Sequence, residues 1–341
     1  MRHRIRRDTE TDYPYVARAL NECGVKVVSL QHEFGIWGGN DGEYVLDFAR
    51  ALRVPIVATL HTVLPRPTPA QREILRELVD IAETSVVMSQ SSAAVLASAY
   101  GVDATRIAVV PHGIPHLPFV ASDTAKPRLG LKDRTVILSF GLIGPGKGFE
   151  SVIDAMPAVV KAIPTACYII LGATHPGVLA REGESYRTDL QAQAKALGLG
   201  EHVQFVDRFV GRVELGTWLE AADIVATPYP NLDQSASGTL AYGMGAGKAV
   251  VSTPFAYASE LLAEGRGRLV APRSPEALAE AFVELLSDND LRAAMGRRAY
   301  EHTRNMVWWE VGAAYRRLFD RAGSAPASIP FRPAPTFAAV G

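Results

Sequence analysis

Short apolar runs alternate along this chain with segments in which apolar residues recur at helical spacing, and this alternation constrains the fold more than any other feature. Short, continuously apolar runs are typical of strands buried on both faces, as in parallel sheets. Strands separated by helices are the pattern of an α/β fold. The predicted strands cover residues 25–30, 55–60, 85–88, 107–110, 135–140, 166–171, 202–206, 224–226, 249–252 and 267–270. The predicted helices cover residues 11–23, 42–52, 69–83, 91–100, 149–160, 184–197, 212–222, 239–246, 275–286 and 290–302.

The length of the chain, 341 residues, suits two domains of ordinary size. Mixed Pro, Ser, Thr and Lys residues at 119–134 predict a linker between an N-terminal domain, 1–118, and a C-terminal domain, 135–304. A closing helix over 305–322 is expected to cross back onto the first domain. The Pro/Ala-rich residues 323–341 are predicted to be a disordered tail.

Composition narrows the class of partner. The formal net charge of −1 gives no electrostatic case for nucleic acid or an anionic membrane, although residues 2–7 form a short basic stretch. The two cysteines, Cys23 and Cys167, have no metal or redox spacing, and sparse cysteine fits a reducing compartment. No apolar run is long enough to span a bilayer, and no signal peptide is visible. We therefore expect a cytoplasmic protein without a metal site or resident cofactor.

Histidines follow three of the four predicted strands of the first domain. His32 and Glu33 follow the strand at 25–30, His61 follows 55–60 and His112 follows 107–110. The carboxyl edge of a parallel sheet is where ligands bind in such folds, so these residues are expected to line one crevice. His61 and Glu33 are the candidates for catalysis, and His32 and His112 for the acceptor side. A lone histidine in such a place is more often a core residue.

Two loops of the second domain suit an anionic ligand. Residues 141–148 are rich in glycine and include Gly144 and Lys147, whose charge can pair with phosphate. Residues 231–237 lead into the helix at 239–246, where free backbone N–H groups and the helix dipole favour an anion. The alternative is an ordinary turn with Ser or Thr as the helix cap.

The stretch at 227–253 resembles the donor-site segment of GT-B glycosyltransferases of family 4, with Gly247-Lys248-Ala249-Val250-Val251 in place of that family's Gly-Lys-Pro-Val-Val. Residues 58–62, 89–91 and 109–114 resemble the acceptor domain of the same family. The resemblance covers most of residues 25–320. It implies two Rossmann-like domains facing each other across a cleft, and transfer of a sugar from a nucleotide sugar with retention of anomeric configuration.

Several positions depart from the family pattern. Gln234 and Tyr242 stand where the family has two glutamates, and Leu142 stands where it has an arginine, whereas Lys147 matches the family lysine. The first strand and Gly-rich loop of the acceptor domain have no counterpart here. A shortened acceptor domain is therefore expected, with an exposed sheet edge through which the chain could form an oligomer.

The sequence thus predicts a metal-independent glycosyltransferase of hexosyltransferase type. Its substrates would be a nucleotide sugar and a carbohydrate or small-molecule acceptor. Two alternatives stay open: a catalytically silent nucleotide-sugar-binding or interaction module, and a sugar-nucleotide epimerase of the same fold. The residues expected to hold the donor are Gly144, Lys147, Gln234, Ser235, Ser237, Gly238, Thr239 and Tyr242.

Overall fold

The structure, a computed structural model, describes residues 3–324. It contains two parallel sheets, each with helices on its faces. The strands are β1 (Val28–His32), β2 (Ile56–Leu60), β3 (Thr84–Val87), β4 (Ile107–Val109), β5 (Thr135–Phe140), β6 (Ala166–Leu171), β7 (Val203–Val206), β8 (Ile224–Thr227), β9 (Ala249–Ser252) and β10 (Arg268–Leu269). The helices are α1 (Asp12–Glu22), α2 (Val45–Ala51), α3 (Pro69–Ile81), α4 (Gln90–Tyr100), α5 (Phe149–Ala162), α6 (Pro176–Glu182), α7 (Ser185–Ala196), α8 (Arg212–Ala221), α9 (Gly238–Gly245), α10 (Ala256–Leu261), α11 (Pro275–Ser287), α12 (Asn289–His302) and α13 (Trp308–Ser324). The prediction of an α/β fold with two Rossmann-like domains is confirmed.

The first sheet has the strand order β1-β2-β3-β4 and is parallel throughout. Alternate residues of β2 face opposite sides: Ile56 and Leu60 pack with α1, α2 and α3, whereas Val57 packs against Val311 and Leu318 of α13. Among residues 3–324, β1 pairs only with β2. The prediction that its open edge supports an oligomer stays a prediction.

The second sheet has the order β10-β9-β8-β5-β6-β7 and is also parallel. Every residue of β6, β8 and β9 is buried, because helices cover both faces. Ile137 and Ile170 pack towards α5 and α11, whereas Leu138 and Ile169 pack towards α8 and α9. The carboxyl end of the central strand β5 therefore lies beside the amino end of α9.

Residues 119–134 pack on the second domain. They form 3-10 turns at Ser122–Thr124 and Lys126–Leu129. The Lys126 ammonium is buried and lies 2.9 Å from Oδ2 of the buried Asp223. This segment, predicted as a linker, is thus tied to the second domain by a buried ion pair.

The chain crosses between the domains twice, and the two crossings pair with each other. Ile114 N–H donates to the Met306 carbonyl at 2.9 Å, and Trp308 N–H donates to the Ile114 carbonyl at 3.1 Å. Beyond this pair, α13 lies on the first sheet, as predicted for the closing helix. The aromatic ring of Trp308 packs so closely on Gly113 that an added Cβ would lie 2.2 Å from it.

Some predicted boundaries are wrong. β1 runs to His32 and not to residue 30, because His32 is in register with Leu60 of β2. Helices α6 and α10 were not predicted, since their apolar patterns are too short to show a period. The tail predicted at 323–341 lies outside the described residues, except that α13 includes 323 and 324. None of the helices between residues 3 and 324 has the length and apolar character that a membrane crossing requires.

Candidate active site

Lys147 lies in the glycine-rich loop between β5 and α5, at the carboxyl edge of the second sheet. Its ammonium lies 4.6 Å from the centre of the Tyr229 ring, a cation–π contact. The Tyr229 hydroxyl lies 3.3 Å from the Ser237 Oγ, which accepts from the N–H of Leu240 and caps α9. The positive charge of Lys147 and the positive end of α9 therefore share one polar surface, which suits an anionic ligand.

The remaining predicted donor residues at the start of α9 lie beside the same loop. Thr239 donates through Oγ1 to the Phe140 carbonyl at 3.3 Å, which fixes the helix against the end of β5. Gly238 begins α9 and faces the first domain: a Cβ built on it would lie 3.0 Å from His112 Nε2. Gly144 is buried in the loop, next to Val178 of α6. The structure thus brings together Lys147, Ser237, Gly238 and Thr239.

His112 joins the two domains at this point. Its Nδ1 lies 2.8 Å from the Gly113 carbonyl, which can only accept, so Nδ1 carries the hydrogen and Nε2 carries the lone pair. Burial lowers the pKa of His112 below its ordinary value of 6.5. The ring is therefore neutral at pH 7 and offers an acceptor nitrogen to the space in front of Gly238.

Two predicted donor residues instead contact protein groups in the loop before α9. Ser235 is buried, and its hydroxyl lies 2.9 Å from the N–H and 3.1 Å from the carbonyl of Val63 in the first domain. The Gln234 amide donates to the Ala236 carbonyl at 2.8 Å. Ser235 therefore bridges the cleft in this conformation, whereas Gln234 is engaged within its own loop.

Tyr242 is turned towards the domain crossing. Its ring lies 6.1 Å from that of His112, and its side chain lies beside Trp308. Burial raises the pKa of Tyr242, so its hydroxyl stays protonated. An aromatic group at this position links α9 to α13.

Gln31 and His61 form a hydrogen-bonded pair at the carboxyl ends of β1 and β2. The Gln31 amide nitrogen donates to Ser29 Oγ at 3.2 Å, which turns Gln31 Oε1 towards His61 Nε2 at 2.9 Å. Since an amide oxygen only accepts, His61 Nε2 carries the hydrogen and Nδ1 is the acceptor. Burial lowers the pKa of His61, and the nearby Glu33 opposes this less strongly. Gln31 was not among the predicted site residues.

Glu33 supports the loop that follows β1. Its Oε2 accepts from the Thr62 hydroxyl at 2.6 Å, and its Oε1 accepts from the Phe34 N–H at 3.2 Å. Glu33 is absent from the described wall of the cavity that contains His61 and His112. Its contacts are those of a residue that positions Thr62 next to His61.

His32 faces away from the crevice, contrary to its predicted acceptor-side position. Successive side chains of a strand point to opposite faces, so Gln31 faces α13 whereas His32 enters the core on the other side of β1. His32 is fully buried against Phe34, with 4.9 Å between ring centres. Neither of its ring nitrogens has a hydrogen-bond partner among the described residues. Burial, with a smaller effect of His61, lowers its pKa to about 4.

The buried His32 is expected to make stability depend on pH. Between pH 6.5 and 4 the unfolded chain binds a proton at this residue that the folded chain does not bind. The free energy of unfolding should therefore fall by about 3 kcal/mol as the pH drops across this window. Urea unfolding at several pH values measures the effect, and His32→Phe should remove it. An equal pH slope in the variant would contradict the assignment.

Another contact across the cleft comes from Glu260 of α10. Its two carboxylate oxygens accept from the N–H groups of Gln90 and Ser91, at 2.9 and 2.8 Å, at the amino end of α4. This capping interaction and the Ser235–Val63 pair hold the two domains together. A pattern along the chain could not predict this contact, because Ser91 and Glu260 lie 169 residues apart. Within residues 3–324, no three His, Cys, Asp or Glu side chains converge as a set of metal ligands.

Comparisons with known proteins match both domains of the chain to glycosyltransferase families. A family model described as Glycosyltransferase Family 4 matches residues 3–116, and one described as Glycosyl transferases group 1 matches residues 122–302. The D-inositol 3-phosphate glycosyltransferase of Corynebacterium efficiens is 28% identical over 80% of this chain and 67% of that protein. That of Paenarthrobacter aurescens is 30% identical over 82% of this chain and 70% of that protein.

Solved structures resemble the whole described fold. Anabaena Alr3699/HepE, solved in complex with UDP, has a TM-score of 0.73 at 20% identity and covers 91% of this chain and 82% of its own. Sucrose-phosphate synthase from Thermosynechococcus elongatus has a TM-score of 0.75 at 19% identity and covers 94% of this chain and 81% of its own. At such identities the likeness supports the arrangement of the two domains.

Proposed function

The chain belongs to the glycosyl transferases group 1 family and is a glycosyltransferase, and from this premise we propose that it moves a sugar from a nucleotide sugar to an acceptor hydroxyl, with retention of anomeric configuration. The observation that carries the proposal is the meeting of Lys147, the amino end of α9 and His112 at one surface of the cleft. The first two groups suit a diphosphate, and His112 extends the surface towards the first domain.

The donor diphosphate would lie against Lys147 and the N–H groups at the start of α9. As the bond between the anomeric carbon and the diphosphate breaks, both bond electrons leave with the diphosphate. Fixed positive groups stabilise that developing charge without rearrangement, which is the main source of catalysis in such a step. A metal-independent reaction stays a prediction.

The acceptor hydroxyl would enter from the first domain. Its oxygen forms the new bond to the anomeric carbon, and its proton passes to His61 Nδ1, the ring nitrogen that Gln31 leaves unprotonated. The lowered pKa of His61 keeps this nitrogen available at neutral pH. Glu33 would act through Thr62, by holding the loop next to His61.

The catalytically silent module remains the second candidate, because Gln234 and Ser235 are engaged by protein groups and Tyr242 is turned towards Trp308. A thermal-shift screen against UDP-, GDP- and ADP-sugars tests donor binding, followed by a turnover assay. UDP-glucose is the first compound because it was bound in one Anabaena Alr3699/HepE structure. A ligand at a hundred times its dissociation constant raises the free energy of unfolding of the protein by about 2.7 kcal/mol. Binding without turnover would favour the silent module, and no binding would contradict the proposal.

Lys147→Met is expected to weaken donor binding about 10- to 150-fold, corresponding to about 1.5–3 kcal/mol for the loss of a hydrogen bond to a charged group. The substitution removes the ammonium but keeps a side chain that can cover Tyr229. Calorimetric titration with the donor measures the change. Lys161→Met is the matched control, since Lys161 is exposed at the other end of α5. Unchanged affinity in Lys147→Met, or an equal loss in the control, would contradict the assignment.

A further inference from the structure

A cavity of about 300 Å³ lies between the first sheet and α13, on the acceptor side of the cleft. This volume is at the lower end of the range of small-molecule sites and suits a single ring. Its polar end contains Gln31, His61 and His112, and its opposite wall is mainly apolar. The remaining wall residues are Ser29, Met88, Pro111, Gly113, Trp308, Val311, Tyr315 and Phe319.

The cavity adjoins the proposed donor surface through His112. This residue lines the cavity, and its Nε2 faces Gly238 at the start of α9. A molecule in the cavity would therefore lie next to the sugar of a donor whose diphosphate rests on α9. The location is the one that an acceptor requires.

The described wall of the cavity carries no formal charge at neutral pH. It contains no lysine, arginine, aspartate or glutamate among the residues that the structure describes. His61 and His112 could supply positive charge, but burial lowers the pKa of both, so each is neutral. An anion without a partner is strongly disfavoured in such surroundings. The relatives, by contrast, are named for a phosphate-bearing acceptor, D-inositol 3-phosphate.

The polar and apolar parts of the cavity match the two kinds of surface on a ring polyol. Trp308 is 48% exposed, yet its ring packs closely on Gly113 and lies 6.4 Å from the ring of His112. A rigid aromatic face of this kind packs against the C–H face of a ring and loses little conformational entropy. Gln31, His61 and His112 provide hydrogen-bonding groups for hydroxyls at the ring edge.

We propose that this cavity is the acceptor site and that it takes a neutral ring polyol, a sugar or cyclitol that carries no phosphate. The inference rests on the proposed function, because it identifies the cavity with the acceptor of that reaction. The acceptor proposed here is neutral, whereas the relatives are named for an acceptor that carries a phosphate.

Calorimetric titration of the full chain tests the inference with matched pairs: myo-inositol against D-inositol 3-phosphate, and glucose against glucose 6-phosphate. We expect the neutral member of at least one pair to bind at least tenfold more tightly than its phosphate. Tighter or equal binding of the phosphate in both pairs would overturn the inference, as would no binding of any of the four. Because titration needs no turnover, failure of sugar transfer would contradict only the proposed function. Transfer to a phosphorylated acceptor alone would contradict only this inference.

Two variants locate the site. Trp308→Ala should lower the affinity for the neutral ligand at least tenfold, whereas Trp309→Ala, the exposed neighbour that packs on His116, should not. Ser29→Arg introduces a cation at an exposed strand position in the wall. It should raise the affinity for the phosphorylated ligand of each pair at least tenfold. This gain does not depend on how well Trp308→Ala folds. Unchanged phosphate binding in Ser29→Arg would overturn the location.

Discussion

Replacing His61 with alanine is expected to lower kcat by about 10²- to 10⁴-fold, the range for a positioned general base. The expectation rests on the tautomer that Gln31 imposes: His61 Nε2 donates to Gln31 Oε1, so Nδ1 is the basic nitrogen. Turnover at saturating donor and acceptor measures the effect. His116→Ala is the matched control, because His116 lies outside the described wall of the cavity. A loss in His61→Ala no larger than in the control would contradict the role.

The pH profile separates a base from a residue that only fills space. Because burial lowers the pKa of His61, kcat should stay constant from neutral pH down to below 6.5 and then fall as Nδ1 is protonated. Gln31→Glu places a carboxylate against Nε2–H, which favours the charged ring and raises the pKa of His61. The acid limb of the profile should move to higher pH by the same amount. An acid limb that does not move in Gln31→Glu would contradict the pairing.

The sequence was sufficient to predict the fold because most strands of the two parallel sheets are short, largely apolar runs separated by helices. All ten predicted strands are present, although β10 has only two residues and several ends are displaced. The family resemblance rested on residues 227–253, where strand, loop, helix and strand follow one another as expected. These features are local, so a pattern along the chain could reveal them.

The acceptor side of the site could not be predicted as well, because a shift of one residue in a strand reverses the face of every side chain. Because Gln31 and His32 are polar and follow an apolar run, the sequence pattern predicts a loop at these two residues. Since the strand includes both residues, Gln31 reaches the cavity and His32 reaches the core. Trp308 was not predicted to line the cavity, for another reason. Its position depends on the pairing of the two domain crossings, which brings together residues far apart in the chain.

Asp223→Ala is expected to lower the free energy of unfolding of the second domain by about 3–5 kcal/mol, the range for breaking a buried ion pair from one side. Asp223 lies before β8, and its side chain is only 2% exposed. Oδ2 accepts from the Val136 N–H at 2.7 Å and lies 2.9 Å from the Lys126 ammonium, whereas Oδ1 accepts from Ser122 Oγ. Alanine would leave the Val136 N–H without this acceptor and the Lys126 ammonium with only the exposed Asp123 carboxylate, 2.8 Å away. Urea unfolding measures the loss.

A double variant distinguishes a buried charge pair from a simple packing defect. In Asp223→Ala the buried Lys126 charge is paired only with the exposed Asp123. If this charge causes part of the cost, then Lys126→Met in the same chain should restore part of the lost stability. Arg128→Ala, which breaks the exposed pair with Glu220, should cost no more than about 1 kcal/mol. Additive losses in the double variant would contradict the argument. Asp223 lies at the amino end of its sheet, opposite to Lys147 and α9, so kcat of the folded fraction should stay unchanged in every one of these variants.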